Sequence, residues 1–290
     1  MGYDFDWVSA FSDQAFGGNG CVVVHGATGL NLEIRLNIVR ETSLSECTFI
    51  EPSDIADFRF RIYLASREIP FAGHPTLAGV ASLMHRGLLP GRKITVETHA
   101  GIVPLEVLED GQISMTQIAP EFGANVAAQL VADAVSLSAN DIIAPPQIVS
   151  TGLQFTVAVV RDRDALGRAK LNIPALNLMS DEIGAPNLDI IEPFLVTLEG
   201  ATSAGDTFSR LLLAPPNPAQ DPFTGSATGA MASYLWSKEL IEKPTFIAEQ
   251  GHDMGRPGQA FVEVLGSRSD ITGVKLAGKA YVTMSGHIHL

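Results

Sequence analysis

Cysteine is nearly absent: Cys21 and Cys47 are the two in 290 residues. So sparse a pair excludes a disulfide scaffold and points to a reducing compartment, the cytoplasm. Basic residues are scarce too. Nineteen Lys and Arg stand against 32 Asp and Glu, a net charge of −13. They form no cluster, which excludes nucleic acid and anionic membrane surfaces as partners. A small anion is not excluded, because a nearby helix terminus outweighs a distant, screened net charge. No apolar run approaches the ~18 residues of a membrane span. The opening Met1-Gly2-Tyr3-Asp4-Phe5-Asp6 has neither the basic start nor the apolar centre of a secretory signal. No HExxH or CxxC spacing is present, so no metal site is expected. There is no GxGxxG after a strand and no Walker loop, so no nucleotide or other cofactor is expected.

What is present is apolar material and a repeat. Hydrophobic residues make up 46% of the chain, ample for a core, and the length suits two domains. Pro70-Phe71-Ala72-Gly73-His74-Pro75-Thr76-Leu77-Ala78 returns as Pro222-Phe223-Thr224-Gly225-Ser226-Ala227-Thr228-Gly229-Ala230, 152 positions later. Leu83 then meets Leu235, Ile94 meets Phe246 and Glu97 meets Glu249. A register held over this length, and recurring once, marks two similar domains rather than a solenoid. Each phrase opens a helix. Leu77, Val80, Ala81 and Met84 follow helical spacing, as do Ala227, Ala230, Met231 and Tyr234. Their other faces are also small or apolar, and a helix apolar all round is buried on every side. The expected fold is therefore α+β: two pseudo-symmetric domains, each a curled, mostly antiparallel sheet or barrel around one central helix. The division expected is 1–118 and 119–290, with 276–290 a candidate to cross back to the first domain.

A Gly and a short polar residue at a helix start leave backbone N–H groups without intrahelical partners. Together with the helix dipole these attract an anion. One such start says little. Two at equivalent points of repeated domains are expected to converge on one small carboxylate or phosphate.

Along the chain, strands are expected over 5–11, 21–25 and 58–64, with a helix over 29–41 carrying Leu32, Arg35, Leu36 and Val39 on one face. Central helices are expected near 74–86 and from 225. Strands follow near 93–98, 102–108 and 112–116. Residues 117–147 read as a connection with one or two short helices. Strands over 155–160, 190–199, 206–214, 245–250, 260–265, 270–276 and 280–285 complete the second half, with a helix at 174–181. The Pro215-Pro216-Asn217-Pro218 loop delivers Asp221 to the second helix start.

Several groups could carry chemistry. Glu46, in a turn between Leu44 and Phe49, has surroundings apolar enough to make it a general base and then acid; a solvated turn residue is the plainer reading. His74 is a proton shuttle or a helix cap. Asp221 is a catalytic carboxylate or simply favoured by the dipole. Strand alternation turns Cys47 away from Glu46 into the core, and Cys21 lies in a Val run. Glu97 and Glu249 read as rim residues without an assigned role. Arg256, in Met254-Gly255-Arg256-Pro257, is a cation at the helix mouth or a surface ion-pair partner.

Taken together these phrases resemble the phenazine-biosynthesis PhzF-like family, within the diaminopimelate-epimerase-like fold. The motifs are Phe16-Gly17-Gly18-Asn19, Leu44-Ser45-Glu46, Pro70 to Thr76, Asp221 to Ala227, and Met254 to Pro257. They span nearly the whole length. The resemblance implies Glu46 as the proton-transfer carboxylate, with His74, Asp221 and Ser226 as helpers. It implies the backbone at Gly73 and Gly225 as holders of a substrate carboxylate, with Ser45, His74 and Ser226 also lining the substrate. It further implies a homodimer. Two departures are visible: Gly20 where the family turn usually has Pro, and Cys47 where Thr is usual. Related epimerases place a Cys before each helix-start Gly, where this chain has Ala72 and Thr224. The expectation is a cofactor-independent isomerase. It would move a proton between carbons of a small, cyclic and unsaturated carboxylic acid with one carboxylate. The alternatives are an epimerase or racemase of a small amino or hydroxy acid, and a non-catalytic small-carboxylate-binding protein.

Overall fold

The structure, a computed structural model, describes residues 2–184, 191–215 and 217–290. The residue-190 start of the expected 190–199 strand and Pro216 of the proline loop lie outside them. The chain divides into two compact units, Met1–Thr116 with Ala277–Leu290, and Gln117–Leu276.

The first unit runs β1 (Gly2–Ala10), β2 (Asn19–Val24), α1 (Leu32–Thr42), β3 (Glu46–Glu51), β4 (Phe58–Leu64), β5 (Glu68–Ile69), α2 (Gly73–His85), β6 (Lys93–Thr98), β7 (Gly101–Val107) and β8 (Ile113–Gln117). The second runs β9 (Glu121–Asn125), α3 (Ala128–Ala134), β10 (Gln147–Ser150), β11 (Gln154–Val159), α4 (Arg163–Arg168), α5 (Ile173–Glu182), β12 (Phe194–Thr197), β13 (Thr207–Leu212), β14 (Gln220–Asp221), α6 (Gly225–Ser237), β15 (Thr245–Gln250), β16 (Gly258–Ser267) and β17 (Asp270–Gly278). The last strand, β18 (Ala280–His289), runs antiparallel to β1 from Ala10 opposite Ala280 to Gly2 opposite His289.

In the first unit α2 packs against β1, β2, β3, β4 and β18, and every residue from Gly73 to Leu83 is buried. In the second α6 packs against β10, β11, β12 and β16. A helix with no polar face has to be enclosed in this way. Gly79 shows how tightly: a Cβ there would sit 2.4 Å from the Phe60 ring. The outer faces of the strands are covered as well. Val22, Val24 and Phe49 pack under Ile38 and Val39 of α1. Ile148, Ala158 and Leu195 pack under Val131, Leu166, Leu176 and Met179 of α3, α4 and α5. Burial on both faces is why β2 and β11 read as continuous apolar runs.

The 152-residue register is kept element by element. β5, α2 and β6 begin and end 152 positions before β14, α6 and β15. β4 lies parallel to β6 as β13 does to β15, and β2 parallel to β3 as β11 does to β12. Thr76 Oγ1 donates to Ala72 O at 2.7 Å, and its repeat partner Thr228 Oγ1 donates to Thr224 O at 2.9 Å. Glu97 and Glu249 are both tied to neighbouring loops or strands. Glu97 pairs with Arg59 and accepts from Ser53 Oγ, while Glu249 accepts from the Thr202 N–H and hydroxyl.

Some local expectations shift. In α1 it is Arg35, Ile38 and Val39 that are buried, while Leu32 is 58% exposed. The Arg35 guanidinium is bonded inside through Nε and Nη2 to Glu51 and the carbonyls of Leu30 and Ala27. The 117–147 connection holds a strand, β9, besides its helical turns, and α4 was not anticipated.

Asp6 of β1 is fully buried and ties three elements. It accepts from Arg86 and Ser82 at the end of α2 and from Ser285 of β18. Burial alone would raise its carboxyl, but the bonds from Arg86, Ser285 and Ser82 outweigh it and hold the carboxyl well below 3.8. A carboxyl so lowered adds stability that is complete above its unfolded pKa and is lost as pH falls toward the native one. Asp6→Asn should cost about 2–4 kcal/mol at neutral pH and flatten the loss of stability below about pH 4. Urea unfolding across that range tests both; an unchanged acid limb would contradict the assignment. At the other helix ends, Gly87 (φ 67°) follows α2 and Glu239 (φ 60°) occupies the same left-handed position after α6. Glu239→Gly should raise stability by up to about 1 kcal/mol, because only glycine takes that conformation without steric cost. Thermal unfolding reads the gain, and a loss would refute it.

Candidate active site

Glu46 is the first residue of β3, after α1 ends at Ser43 in a left-handed conformation (φ 55°). Strand alternation sorts the neighbours. Cys47 and Phe49 point into the outer cluster under α1, so Glu46 and Thr48 face α2. Thr48 Oγ1 donates to Pro75 O at 2.8 Å, which fixes the first turn of α2 against β3. Beside it, His74 Nε2 lies 3.1 Å from Glu46 Oε2, and Ser45 Oγ donates to the same oxygen at 3.1 Å. The Glu46 side chain is 16% exposed and that of His74 6%. Glu46 is therefore no solvated turn residue.

Burial pushes the His74 imidazole down to about 3, so the ring is neutral at ordinary pH. Its approach to Glu46 is close, yet Nε2 makes no hydrogen bond of good angle there. On the other side of the ring, Asn19 Nδ2 lies 3.3 Å from Nδ1. Neither α2 nor α6 has a side-chain cap. The N-cap positions are Ala72 and Thr224, and His74 and Ser226 lie inside the helices as second residues. The capping reading of His74 is thus set aside. The first N–H groups after Gly73 and Gly225 precede the earliest helical bonds, made by Thr76 and Thr228.

At the start of α6, Asp221 accepts from the Thr224 hydroxyl. Gln250 braces the same turn, donating to Asp221 O at 2.8 Å and accepting from Thr224 N at 3.1 Å. Ser226 is half-buried, and its carbonyl accepts from Thr151 Oγ1 at 3.4 Å. Arg256 is half-buried beside the motif: a Cβ at Gly251 would meet both Pro222 O and Arg256 O at 2.5 Å. Burial lowers its pKa, though arginine stays charged. Both thiols are free and buried. Burial raises the Cys21 thiol far above its ordinary value and pushes that of Cys47 up to about 12, so neither supplies a thiolate.

Ser45, Glu46, Gly73 and His74 are thus neighbours in the first unit. Asp221, Gly225 and Ser226 share the start of α6 in the second. Asn19 and Gln250 were missed as side chains with work at these helix starts. Asn19 stood only as part of a glycine turn, and Gln250 only as the residue after Glu249. Among the described residues no cluster of His, Cys, Asp and Glu is arranged to hold a metal ion. No described helix is long and apolar enough to cross a membrane.

The neutral ring has a measurable consequence. The unfolded chain binds a proton at His74 below about 6.5 and the folded one does not until about 3. Stability should therefore fall as pH drops through that interval. The His74 ring resonances should stay fixed between pH 8 and 5 in an NMR titration; a midpoint inside that range would contradict it.

A family model described as phenazine biosynthesis-like protein, PhzC-PhzF, matches residues 8–286. The chain is 28% identical over 264 residues to an uncharacterized isomerase of Bacillus subtilis, YfhB, covering 88% of each. A Bacillus anthracis phenazine biosynthesis protein of the PhzF family superposes with a TM-score of 0.88 at 27% identity, over 100% of both chains. A Pseudomonas aeruginosa structure described as a predicted epimerase superposes with a TM-score of 0.82 at 29% identity, over 99% of each. The fold is the two-domain diaminopimelate-epimerase-like one.

Proposed function

The chain belongs to the phenazine biosynthesis-like (PhzC-PhzF) family of isomerases, and we propose that it moves a proton between two carbons of a small carboxylic acid. Glu46 is the acid–base group and no cofactor takes part. One observation carries this reading: a half-buried carboxylate set 3.1 Å from a neutral imidazole at an uncapped helix start.

Glu46 removes a proton from one carbon as a carboxylate and returns it to another as a carboxylic acid, so the double bond shifts. Each step leaves the carboxyl in the state the next one needs. The His74 N–H supports the negative charge that moves between Glu46 and the substrate. Backbone N–H groups after Gly73 hold the substrate's carboxylate, and Gly225 is assigned the same task in the second unit. Ser45, Asp221 and Ser226 line the substrate as polar partners. A cyclic, unsaturated acid is favoured because conjugation lowers the cost of the developing carbanion. The enzyme acts as a homodimer in the cytoplasm; light scattering at about twice the 30.8 kDa chain mass tests the first of these.

A second reading is an epimerase, favoured by the description of the Pseudomonas relative. Against it stand Ala72 and Thr224, which occupy both N-cap positions without a thiol. Incubating small unsaturated acids in deuterated water separates the two. A deuteron on a new carbon with a moved double bond fits the isomerase, whereas a deuteron at an inverted centre fits the epimerase. Glu46→Gln should slow the exchange at least about 100-fold with the fold intact. Undiminished turnover in that variant would remove Glu46 from its role.

A further inference from the structure

Asn19 opens β2 and is 2% exposed. The turn before it is pressed onto β1: Gly18 has φ 48°, and a Cβ there would lie 2.0 Å from Ala10 O. Asn19 itself pairs with Ala10 across the ladder. Its backbone is therefore held, and its amide Nδ2 lies 3.3 Å from His74 Nδ1.

The two faces of the imidazole are not independent. The neutral ring carries one proton. Glu46 Oε2 stands 3.1 Å from Nε2, and an ionised carboxylate only accepts. A bare Nε2 would bring the negative side of the ring within 3.1 Å of that charge. The proton therefore belongs on Nε2, which leaves Nδ1 as an acceptor. Of the two ends of the Asn19 side chain, only the NH2 can satisfy it.

We propose that Asn19 is a positioning residue: its NH2 holds the tautomer of His74 and so keeps the Nε2–H beside the Glu46 carboxylate. The inference rests on the reading of Glu46 as the proton-transfer group. It adds that the imidazole is a fixed donor during turnover rather than a second base. A ring in the other tautomer would offer Glu46 no N–H and would repel it while ionised. Asn19 thus links the glycine turn to the chemistry without touching substrate.

Long-range proton–nitrogen NMR correlation on protein with nitrogen-labelled histidine tests this at neutral pH without any substrate. His74→Gln assigns the His74 signals by their loss. In the unmodified protein Nδ1 should resonate at the unprotonated position and Nε2 at the protonated one. In Asn19→Ala the Nδ1 signal should move toward the average of the two tautomers. In Asn19→Asp the new carboxylate demands a donor, so Nδ1 should move to the protonated position. A proton on Nδ1 in the unmodified protein overturns the proposal, and that spectrum decides even where a variant fails to fold. Identical His74 shifts in all three proteins overturn it as well. Full turnover by Glu46→Gln would remove the chemical reading yet leave these shifts as they are. Unchanged shifts would remove Asn19's role yet leave the Glu46 loss standing.

Discussion

A helix without a polar face can be buried only inside something that encircles it, and its first turn cannot be sealed without stranding N–H groups. That pair of demands organises each unit. Strands close on every side of α2, and every residue from Gly73 to Leu83 is buried. At its start no side chain takes up the open donors. Polar groups consequently gather at that end: Glu46 and Thr48 from the inner face of β3, His74 from the helix itself, and Asn19 from the turn into β2. The start of α6 repeats the pattern with Asp221, Thr224 and Gln250.

Two acid–base contacts in the first unit show how burial decides charge. Arg35 and Glu51 lie 2.5 Å apart with side chains 4% and 9% exposed. This pair is a buried ionic strut, with the Arg35 guanidinium against the Phe49 and Tyr63 rings. His74 and Glu46 are comparably close, but imidazole can shed its proton. Holding its pKa near 3 rather than 6.5 means that charging the ring costs on the order of 5 kcal/mol. The ring therefore stays neutral, and Glu46 faces a dipole in place of a cation. A carboxylate locked to a cation would be a poor base, whereas one beside a neutral donor retains its basicity.

Much of this was legible because the repeat is written in residue types that geometry forces. The glycines at 73 and 225, the threonines at 76 and 228 and the apolar helix faces all serve one packing problem solved twice. The frame β5–α2–β6 accordingly returns without a one-residue slip as β14–α6–β15. Alternation in β3 likewise separates Glu46 from Cys47 in the sequence itself. Other features depend on partners far away in sequence. On the expected face of α1 Arg35 is buried and Leu32 exposed, because Glu51 and two carbonyls bond the guanidinium, which periodicity does not register. β9 has no buried residue to betray a strand; its ladder to β10 defines it. Asn19 meets His74 across 55 positions. By contrast, α4 did carry a readable start, with Asp162 capping Ala165 N and Asp164 in its first turn.

The duplication also explains why the chemistry is assigned to one unit and not to both. Glu97 and Glu249 are repeat partners, and they stand beside Arg59 of β4 and Phe208 of β13. Five residues further along those strands come Leu64, opposite Glu46, and Leu213. Continuing the β12–β13 register by two residues sets Leu213 opposite Glu192. Glu192 is thus a buried carboxylate close to the place that Glu46 takes in the first unit. That carboxylate accepts the Ala214 N–H at 2.7 Å, and the residue equivalent to His74 is Ser226. A serine offers no ring whose tautomer can be set, and the Glu192 carboxylate closes a loop onto a backbone N–H. Under the proposed function the first unit supplies the base, while in the second Glu192 braces its loop.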